Sequence, residues 1–184
     1  MFGVVLAIAF AACASAEVQK SGPNPDAAAI AEFSKRVDAY VALHKKVEAT
    51  IPSLPKEASP EQIDQHQRAL ARLIGQARAN AKRGDIFTPE MERVARKLLR
   101  DIFTSPDGDQ MKREIFEEDS QRDITPTVNG RYPDAVPLST VPPGVLSGLP
   151  KLPEELEYRF VGRNLILLDP HAHIIADYIP RAIP

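Results

Sequence analysis

Residues 156–179 read LEYRFVGRNLILLDPHAHIIADYI, and this stretch decides the fold class. Three apolar runs are separated by two turn sequences, Gly162-Arg163-Asn164 and Asp169-Pro170-His171-Ala172. Glycine and asparagine tolerate positive φ, and proline fixes φ at a value that suits a turn, so both segments interrupt strands. The pattern predicts a three-stranded antiparallel β meander at residues 156–184. Three short strands are not stable alone, so we expect the meander to pack on the helices of the preceding chain.

Upstream of the meander, a capping side chain precedes a proline at four places: Asn24-Pro25, Ser59-Pro60, Thr88-Pro89 and Ser105-Pro106. The cap oxygen accepts a free backbone N–H, and proline loses no hydrogen bond at the first helical position. Apolar residues recur with helical periodicity behind each start, and Gly84 is placed to end the second helix. Residues 17–119 are therefore predicted to form a three- or four-helix bundle, which makes the fold class α+β and mainly α.

The composition changes after Asp119, because seven of the 17 prolines lie between Pro126 and Pro153. Proline fixes φ and cannot donate to a β ladder, so this stretch is predicted to be neither helix nor central strand. We expect residues 120–155 to form an extended strap over the helices, with one helical turn at 145–149. Its apolar side chains are expected to be buried, and they are Val128, Val136, Leu138, Val141, Val145, Leu146 and Leu149.

Residues 1–16 form an uncharged apolar run that ends in Ala14-Ser15-Ala16. This layout is typical of a secretory signal peptide cleaved after Ala16, although the segment contains no Lys or Arg. The run is shorter than the roughly 20 apolar residues of a spanning helix, so no integral membrane span is expected in the mature chain. In the alternative, Phe10-Ala11-Ala12-Cys13 is a lipobox, and lipidated Cys13 tethers the protein to the membrane. Both interpretations predict export, to the periplasm, the medium or the envelope surface.

The composition limits the partners and the chemistry of the processed chain. Cys13 is the only cysteine, so no disulfide, thiolate metal site or cysteine nucleophile is expected after processing. An apolar content of 43% and a charged content of 26% are those of a globular protein. A formal net charge of −2 gives no electrostatic case for binding nucleic acid. A protein partner stays open, but the sequence does not name one.

One longer pattern runs through the ending: Leu152-Pro153-x-x-Leu156-x-Tyr158-Arg159-x-Val161-Gly162-x-x-Leu165-Ile166-Leu167-x-Asp169, then Ile174-Ile175-Ala176-Asp177-x-Ile179. It resembles the carboxyl-terminal module of small periplasmic proteins associated with nickel and cobalt homeostasis. Ala172-His173 stands where that module usually carries Thr-Gly. Together with Gly84-Asp85-Ile86-Phe87-Thr88-Pro89, the ending is also similar to uncharacterised secreted bacterial proteins. The resemblance implies export and a β module, and it carries over no catalytic or metal-binding residue.

Asp169-x-His171-x-His173 is the sharpest local constellation of chemically active residues. Alternate residues of a strand share a face, so one carboxylate and two imidazoles would converge on a single Zn²⁺ or Ni²⁺. The competing interpretation is a turn, because Pro170 interrupts the strand geometry that convergence requires. In that turn, Asp169 would bond its own backbone and both imidazoles would be exposed.

Other candidate groups have equally plain structural interpretations. His44 and His66 lie on or beside the apolar stripes of the first two helices, where they would either face each other across a metal or haem or be hydrogen-bonded at the core rim. The carboxylates of Glu114, Glu117, Glu118 and Asp119 would serve either as a general acid–base pair or as a solvated helix end. The sequence contains no nucleophile elbow, phosphate loop or dinucleotide fingerprint.

We therefore predict an exported, non-enzymatic protein with no cofactor and with a structural or interaction role. The alternative is a periplasmic divalent-metal-binding protein that uses Asp169, His171 and His173. A third class is a hydrolase that uses carboxylates near Glu117, which would need a cleft between the fourth helix and the strap.

Overall fold

The computed structural model describes residues 24–118, 125–134 and 136–184. These residues form five helices and three strands: α1 (Pro25–Glu48), α2 (Pro60–Ala77), α3 (Pro89–Phe103), α4 (Gly108–Glu118), α5 (Pro143–Gly148), β1 (Glu157–Val161), β2 (Asn164–Asp169) and β3 (Ile174–Ile179). The predicted fold class is confirmed, since the chain is mainly helical with a small antiparallel sheet at its carboxyl-terminal end. None of the described helices is long and apolar enough to cross a membrane. The predicted signal peptide at 1–16, with Cys13 and Ala16, lies outside the described residues.

Three of the four predicted helix starts are present with their caps. The side chains of Asn24, Ser59 and Thr88 accept the backbone N–H groups of Asp26, Gln62 and Met91 respectively. At Ser59 the bond is reciprocated, because Gln62 Oε1 accepts the backbone N–H of Ser59 at 2.8 Å and completes a capping box. These local interactions fix where α1, α2 and α3 begin.

Two predicted helix boundaries are wrong, the start of the fourth helix and the end of the second. The fourth helix begins at Gly108, because the hydroxyl of Ser105 donates to the Ile102 carbonyl at the end of α3 instead of capping a new helix. The second helix ends at Ala77, where the backbone N–H of Arg78 donates to the Ile74 carbonyl. Gly84 therefore ends no helix; it occupies a left-handed turn with φ 91° in the loop before α3.

The helices and the sheet share one hydrophobic core. Its helical part includes Phe33 of α1, Ile74 of α2 and Leu99 of α3, and all three side chains are buried. The inner face of the sheet joins the same core through Phe160, Leu165, Leu167, Ile174 and Ile179. Burying one such side chain stabilises the fold by about 1.5–3 kcal/mol, so the helices and the sheet depend on each other.

The sheet has the order β1-β2-β3, and each neighbouring pair is antiparallel. Gly162 takes φ 54° in the first turn, while Asn164 already belongs to β2 and pairs with Val161. The outer face of the sheet forms a second apolar cluster with the strap, whose members are Tyr132, Val161, Ile166, Leu168 and Ile175. Burial on both faces explains why β2 is almost continuously apolar instead of alternating.

The proline-rich strap also covers the two edges of the sheet. At the β3 edge, Asn129 donates its backbone N–H to the Ile175 carbonyl, and the N–H of Ile175 donates to the Gly130 carbonyl. At the β1 edge, the hydroxyl of Ser139 donates to the Phe160 carbonyl and accepts the Phe160 N–H. The helical turn expected at 145–149 is present as α5. Of the strap's apolar residues, Leu138 and Leu146 are exposed, contrary to the prediction.

Asp177 of β3 fixes the loop before α3 to the sheet. Its buried carboxylate accepts the backbone N–H groups of Gly84, Ile86 and Phe87 at 2.8–3.2 Å, and that of Tyr178 at 2.8 Å. Burial raises the pKa of Asp177, and these backbone hydrogen bonds oppose the rise. The left-handed conformation of Gly84 is part of this clamp, because it turns the following chain so that the N–H groups of Ile86 and Phe87 meet the same carboxylate as that of Gly84.

Candidate metal centre

Asp169, the last residue of β2, joins the sheet to α1. Its side chain is fully buried, and its Oδ1 atom accepts the backbone N–H of Ala172 at 2.8 Å, which closes the turn after β2. Its Oδ2 atom accepts the hydroxyl of Tyr40 at 2.7 Å and lies 2.6 Å from Nδ1 of His44. An ionised carboxylate only accepts hydrogen bonds, so Nδ1 of His44 carries the proton of this contact.

His44 lies one helical turn before the end of α1, with its imidazole ring fully buried. Because Nδ1 donates to Asp169, the second ring nitrogen, Nε2, remains for another partner. Nε2 lies 3.3 Å from Oε2 of Glu48, one helical turn further along, but it has no hydrogen-bond partner within the described part of the chain. The spacing of four residues places both side chains on one face of α1.

Charge controls the protonation of this cluster. Burial by itself lowers the pKa of His44, but the hydrogen bond to Asp169 and the negative charges of Asp169 and Glu48 outweigh it, so the pKa lies above the ordinary value of 6.5. Burial, reinforced by the charge of Asp169, also raises the pKa of Tyr40, so its hydroxyl stays protonated and donates. The surroundings of His44 therefore favour a positive charge at Nε2, from a proton or from a metal ion.

His171 brings a second imidazole to the same place. It lies in the turn between β2 and β3, and its exposed side chain has Nδ1 3.6 Å from Oε1 of Glu48. Its ring meets the His44 ring edge to face, with the ring centroids 5.4 Å apart. His44, Glu48 and His171 each offer one ligand atom, and these three atoms lie within 4.8 Å of one another. A search of residues 24–118, 125–134 and 136–184 for three or more His, Cys, Asp or Glu side chains that could hold one metal ion gives this group.

The three residues singled out in the sequence do not form such a group. Asp169 and His171 both lie beside α1, whereas His173 takes a left-handed φ of 55° and its ring packs edge to face on Tyr132. Nε2 of His173 lies 3.4 Å from Oδ1 of Asp134, in the strap. Burial, followed by the charge of Arg131, lowers the pKa of His173. The segment forms the turn of the competing interpretation, in which Asp169 Oδ1 accepts the backbone N–H of Ala172. Of the two imidazoles expected to be exposed, His171 is exposed, but the His173 side chain is only 20% exposed.

The remaining candidates lie elsewhere. His66 borders a cavity of about 430 Å³ that is also lined by Lys45 and Glu48, but it does not belong to the group of three. Glu114 is exposed and accepts a hydrogen bond from the side chain of Gln110. The side chains of Glu117 and Glu118, and residue Asp119, lie outside the described part of the chain.

Two imidazoles and one carboxylate, with an acidic residue behind one imidazole, are a recurrent set of metal ligands. Zinc sites with an exchangeable position often use two histidines and a glutamate. A ligating histidine usually donates its other ring N–H to a carboxylate, which fixes the ring and increases its basicity. The bond from His44 Nδ1 to Asp169 has this form. The arrangement could therefore hold one divalent ion at the surface, between α1 and the β2–β3 turn.

The sequence analysis missed Glu48 and the partnership of His44 with His171. The available signal was the spacing of His44 and Glu48, which offers two ligands from one helical face. Comparisons with protein-family models, curated proteins and solved structures gave no match to this chain.

Proposed function

We propose that this protein binds one divalent transition-metal ion of the zinc type through His44, Glu48 and His171. Asp169 does not ligate the ion in this proposal; it orients His44 and holds its Nδ1 proton. The observation that carries the proposal is the buried imidazole of His44. Its Nδ1 atom is bonded to Asp169, and its Nε2 atom, which has no hydrogen bond to any of the described residues, lies beside Glu48 and His171.

The ligand types favour a transition metal over calcium or magnesium. Imidazole nitrogen suits Zn²⁺, Ni²⁺ and Cu²⁺, whereas Ca²⁺ and Mg²⁺ take oxygen ligands. The local charge also favours a cation, since the carboxylates of Asp169 and Glu48 are accompanied by that of buried Glu155. Lys45, which lies 2.8 Å from Glu155, offsets one of these three negative charges.

We further propose that this role belongs to an exported protein and that it is one of binding, without catalysis. The export proposal depends on the apolar run at 1–16, with cleavage after Ala16 or lipidation at Cys13. A metal ion would join α1 to the β2–β3 turn, two elements far apart in the chain. Because such a site exists only in the folded state, binding would also stabilise the fold.

Calorimetric titration with Zn²⁺ and with Ni²⁺ tests the proposal. We expect one ion per chain and a melting temperature that rises with the metal concentration. His171→Ala is the informative variant, because this side chain is exposed and its loss leaves the core intact. Removal of a ligand should weaken Zn²⁺ binding at least as much as the roughly 10–100-fold typical of outer-sphere changes.

His173→Ala is the matched control, because it removes an imidazole two residues away that lies against Tyr132 and Asp134 instead. The Zn²⁺ affinity of His173→Ala should equal that of the unaltered protein. Absence of binding to the unaltered protein would refute the proposal. Equal losses in His171→Ala and His173→Ala would refute the assignment of ligands.

A further inference from the structure

A surface cleft between α3 and the loop before it is strongly basic. The cleft has a volume of about 680 Å³, and its lining includes five cationic side chains but one carboxylate. These charged residues are Arg83, Glu92, Arg93, Arg96, Lys97 and Arg100. The whole chain has a formal net charge of −2, so the positive charge of this basic cleft is a local concentration.

The carboxylate of Glu92 does not neutralise the basic cleft. Its Oε1 atom accepts hydrogen bonds from Nε and Nη2 of Arg96, and its Oε2 atom accepts one from Nη1 of Arg83 at 3.1 Å. Arg96 also donates to the backbone carbonyls of Pro180 and Arg181. Two guanidinium groups therefore share one carboxylate, which holds both in place and leaves this group of three with a net positive charge.

The other three cations of the basic cleft are exposed. Arg93 pairs with Asp26 of α1 at 2.7 Å. Lys97 and Arg100 form no ion pair and no side-chain hydrogen bond with any residue that the structure describes. Spacings of four and three residues place Arg93, Lys97 and Arg100 on one face of α3. At 1.5 Å per residue, these three cations extend over about 10 Å along the helix.

This spacing favours a ligand with several separate carboxylates over one with a single phosphate group. Alternate side chains of an extended peptide lie on one side, about 6.6 Å apart. That distance is close to the rise of about 6 Å between Arg93 and Lys97. A phosphate would also find no backbone cradle at Gly84 and Phe87, because the N–H groups of both residues donate to Asp177.

We infer that the basic cleft binds an extended acidic segment of a partner protein, with Asp or Glu at alternate positions. Arginine pairs with carboxylates through two parallel hydrogen bonds, and lysine adds a point charge. The bases of a nucleic acid would lack a stacking surface here, because Phe87, the aromatic residue of the lining, is buried. Single exposed ion pairs contribute little, so the affinity depends on several pairs together and falls as salt is added. The inference does not depend on the proposed metal site, which other residues form.

The test is fluorescence anisotropy with a labelled peptide of about seven residues, in which Glu and Ser alternate. The double variant Lys97→Glu/Arg100→Glu should bind this peptide at least about 10-fold more weakly than the unaltered protein does. Lys56→Glu/Arg72→Glu is the matched control, because it changes the net charge equally at two exposed residues that do not line the cleft. The control should bind within about 3-fold of the unaltered protein.

The specificity of the basic cleft is tested with two other probes. A peptide with Gln in place of each Glu should not bind, and a single-stranded DNA of equal charge should bind more weakly than the Glu peptide. Equal losses in the two double variants, or no binding of the Glu peptide, would overturn the inference. Tighter binding of the DNA would assign the cleft to nucleic acid instead. Self-association of the unaltered protein that Lys97→Glu/Arg100→Glu abolishes would assign it to a second copy of the chain, which also overturns the inference.

Discussion

Asp169 and Asp177 are two fully buried carboxylates on adjacent strands of one sheet, and they have different kinds of partner. Among the described residues, Asp177 accepts hydrogen bonds from backbone N–H groups alone, those of the loop at 84–87 and of Tyr178. Asp169 accepts one backbone N–H, but its other oxygen is shared by the side chains of Tyr40 and His44.

The difference decides what each carboxylate does for the molecule. Backbone N–H groups do not change their protonation state near neutral pH, so Asp177 makes a fixed joint between a loop and a strand. His44 titrates, and its other nitrogen lies next to Glu48 and His171. Asp169 therefore links the fold to a group that can exchange a proton for a metal ion. Two aspartates with the same burial therefore have different roles: Asp177 anchors a loop to the sheet, and Asp169 sets the protonation of His44.

The largest expected effect is on stability, from Asp177→Asn. The amide would place donor hydrogens against backbone N–H groups that now share a carboxylate, and it would remove the charge that strengthens those bonds. We expect a loss of roughly 3–4 kcal/mol in the free energy of unfolding, measured by urea denaturation. The folded fraction should bind Zn²⁺ with an affinity within about 3-fold of the unaltered protein, since Asp177 lies outside the metal site. A stability loss below about 1 kcal/mol would contradict the anchoring role.

Asp169→Asn should have the opposite pattern, with a smaller loss of stability and a larger loss of Zn²⁺ affinity than Asp177→Asn. One amide oxygen can still accept from either Tyr40 or His44, so the loss of stability should be smaller, about 2 kcal/mol. Zn²⁺ affinity should fall about 10–100-fold, because His44 would lose the carboxylate that fixes its ring and tautomer. The measurements are the same two titrations as for Asp177→Asn. The comparison breaks down if Asp177→Asn weakens Zn²⁺ binding more than Asp169→Asn does.

The pH dependence of the metal-free protein gives a third test. The pKa of His44 in the folded protein lies above the ordinary 6.5, so protonated His44 contributes stability that is fully present below about pH 6.5. That contribution is lost as the pH rises through the folded-state pKa. The melting temperature should therefore fall over this interval, and it should fall less in His44→Gln. With saturating Zn²⁺, which binds neutral imidazole, the decline should be offset. An increase over the interval that is absent in His44→Gln would contradict the assignment.

The smallest effect on stability is expected for the exposed His171. His171→Ala should change the free energy of unfolding of the metal-free protein by no more than about 0.5 kcal/mol. The same variant should lose the rise in melting temperature that Zn²⁺ produces in the unaltered protein. Thermal denaturation with and without metal measures both quantities. A large loss without metal would show that His171 supports the fold, as Asp177 does.

Local features of the fold were accessible from the sequence. Caps such as Ser59 and the turn at Gly162 depend on neighbours within a few residues, so the helix starts and the meander could be predicted. The predicted helix start at Ser105 was wrong because the Ser105 hydroxyl donates to the Ile102 carbonyl of the preceding helix. The prediction that Gly84 ends the second helix was wrong because its backbone N–H is bonded to Asp177, which is remote in the sequence.

The candidate site was predicted only in part, because it is assembled across the chain. The metal hypothesis placed Asp169, His171 and His173 on one strand face, which required strand alternation through Pro170; the competing interpretation was a turn. In the structure this segment is a turn, and His173 has a positive φ, so the imidazole of His173 lies next to Asp134 of the strap. His44 and Glu48 come from the first helix, and no local pattern shows that this helix packs against the β2–β3 turn.

The strap has a consequence for the order in which the molecule folds. Arg131 of the strap forms a β-bridge to Ile174 of β3. The strap precedes β3 in the chain, so it is synthesised before the edge strand that it covers. Until that strand forms, the strap's backbone groups lack their final partners, and a sheet formed without the strap would present open edges to other chains. Contacts between distant parts of a chain form slowly compared with helices. In the interval between helix formation and strap closure, the sheet edges are therefore open to pairing with other chains.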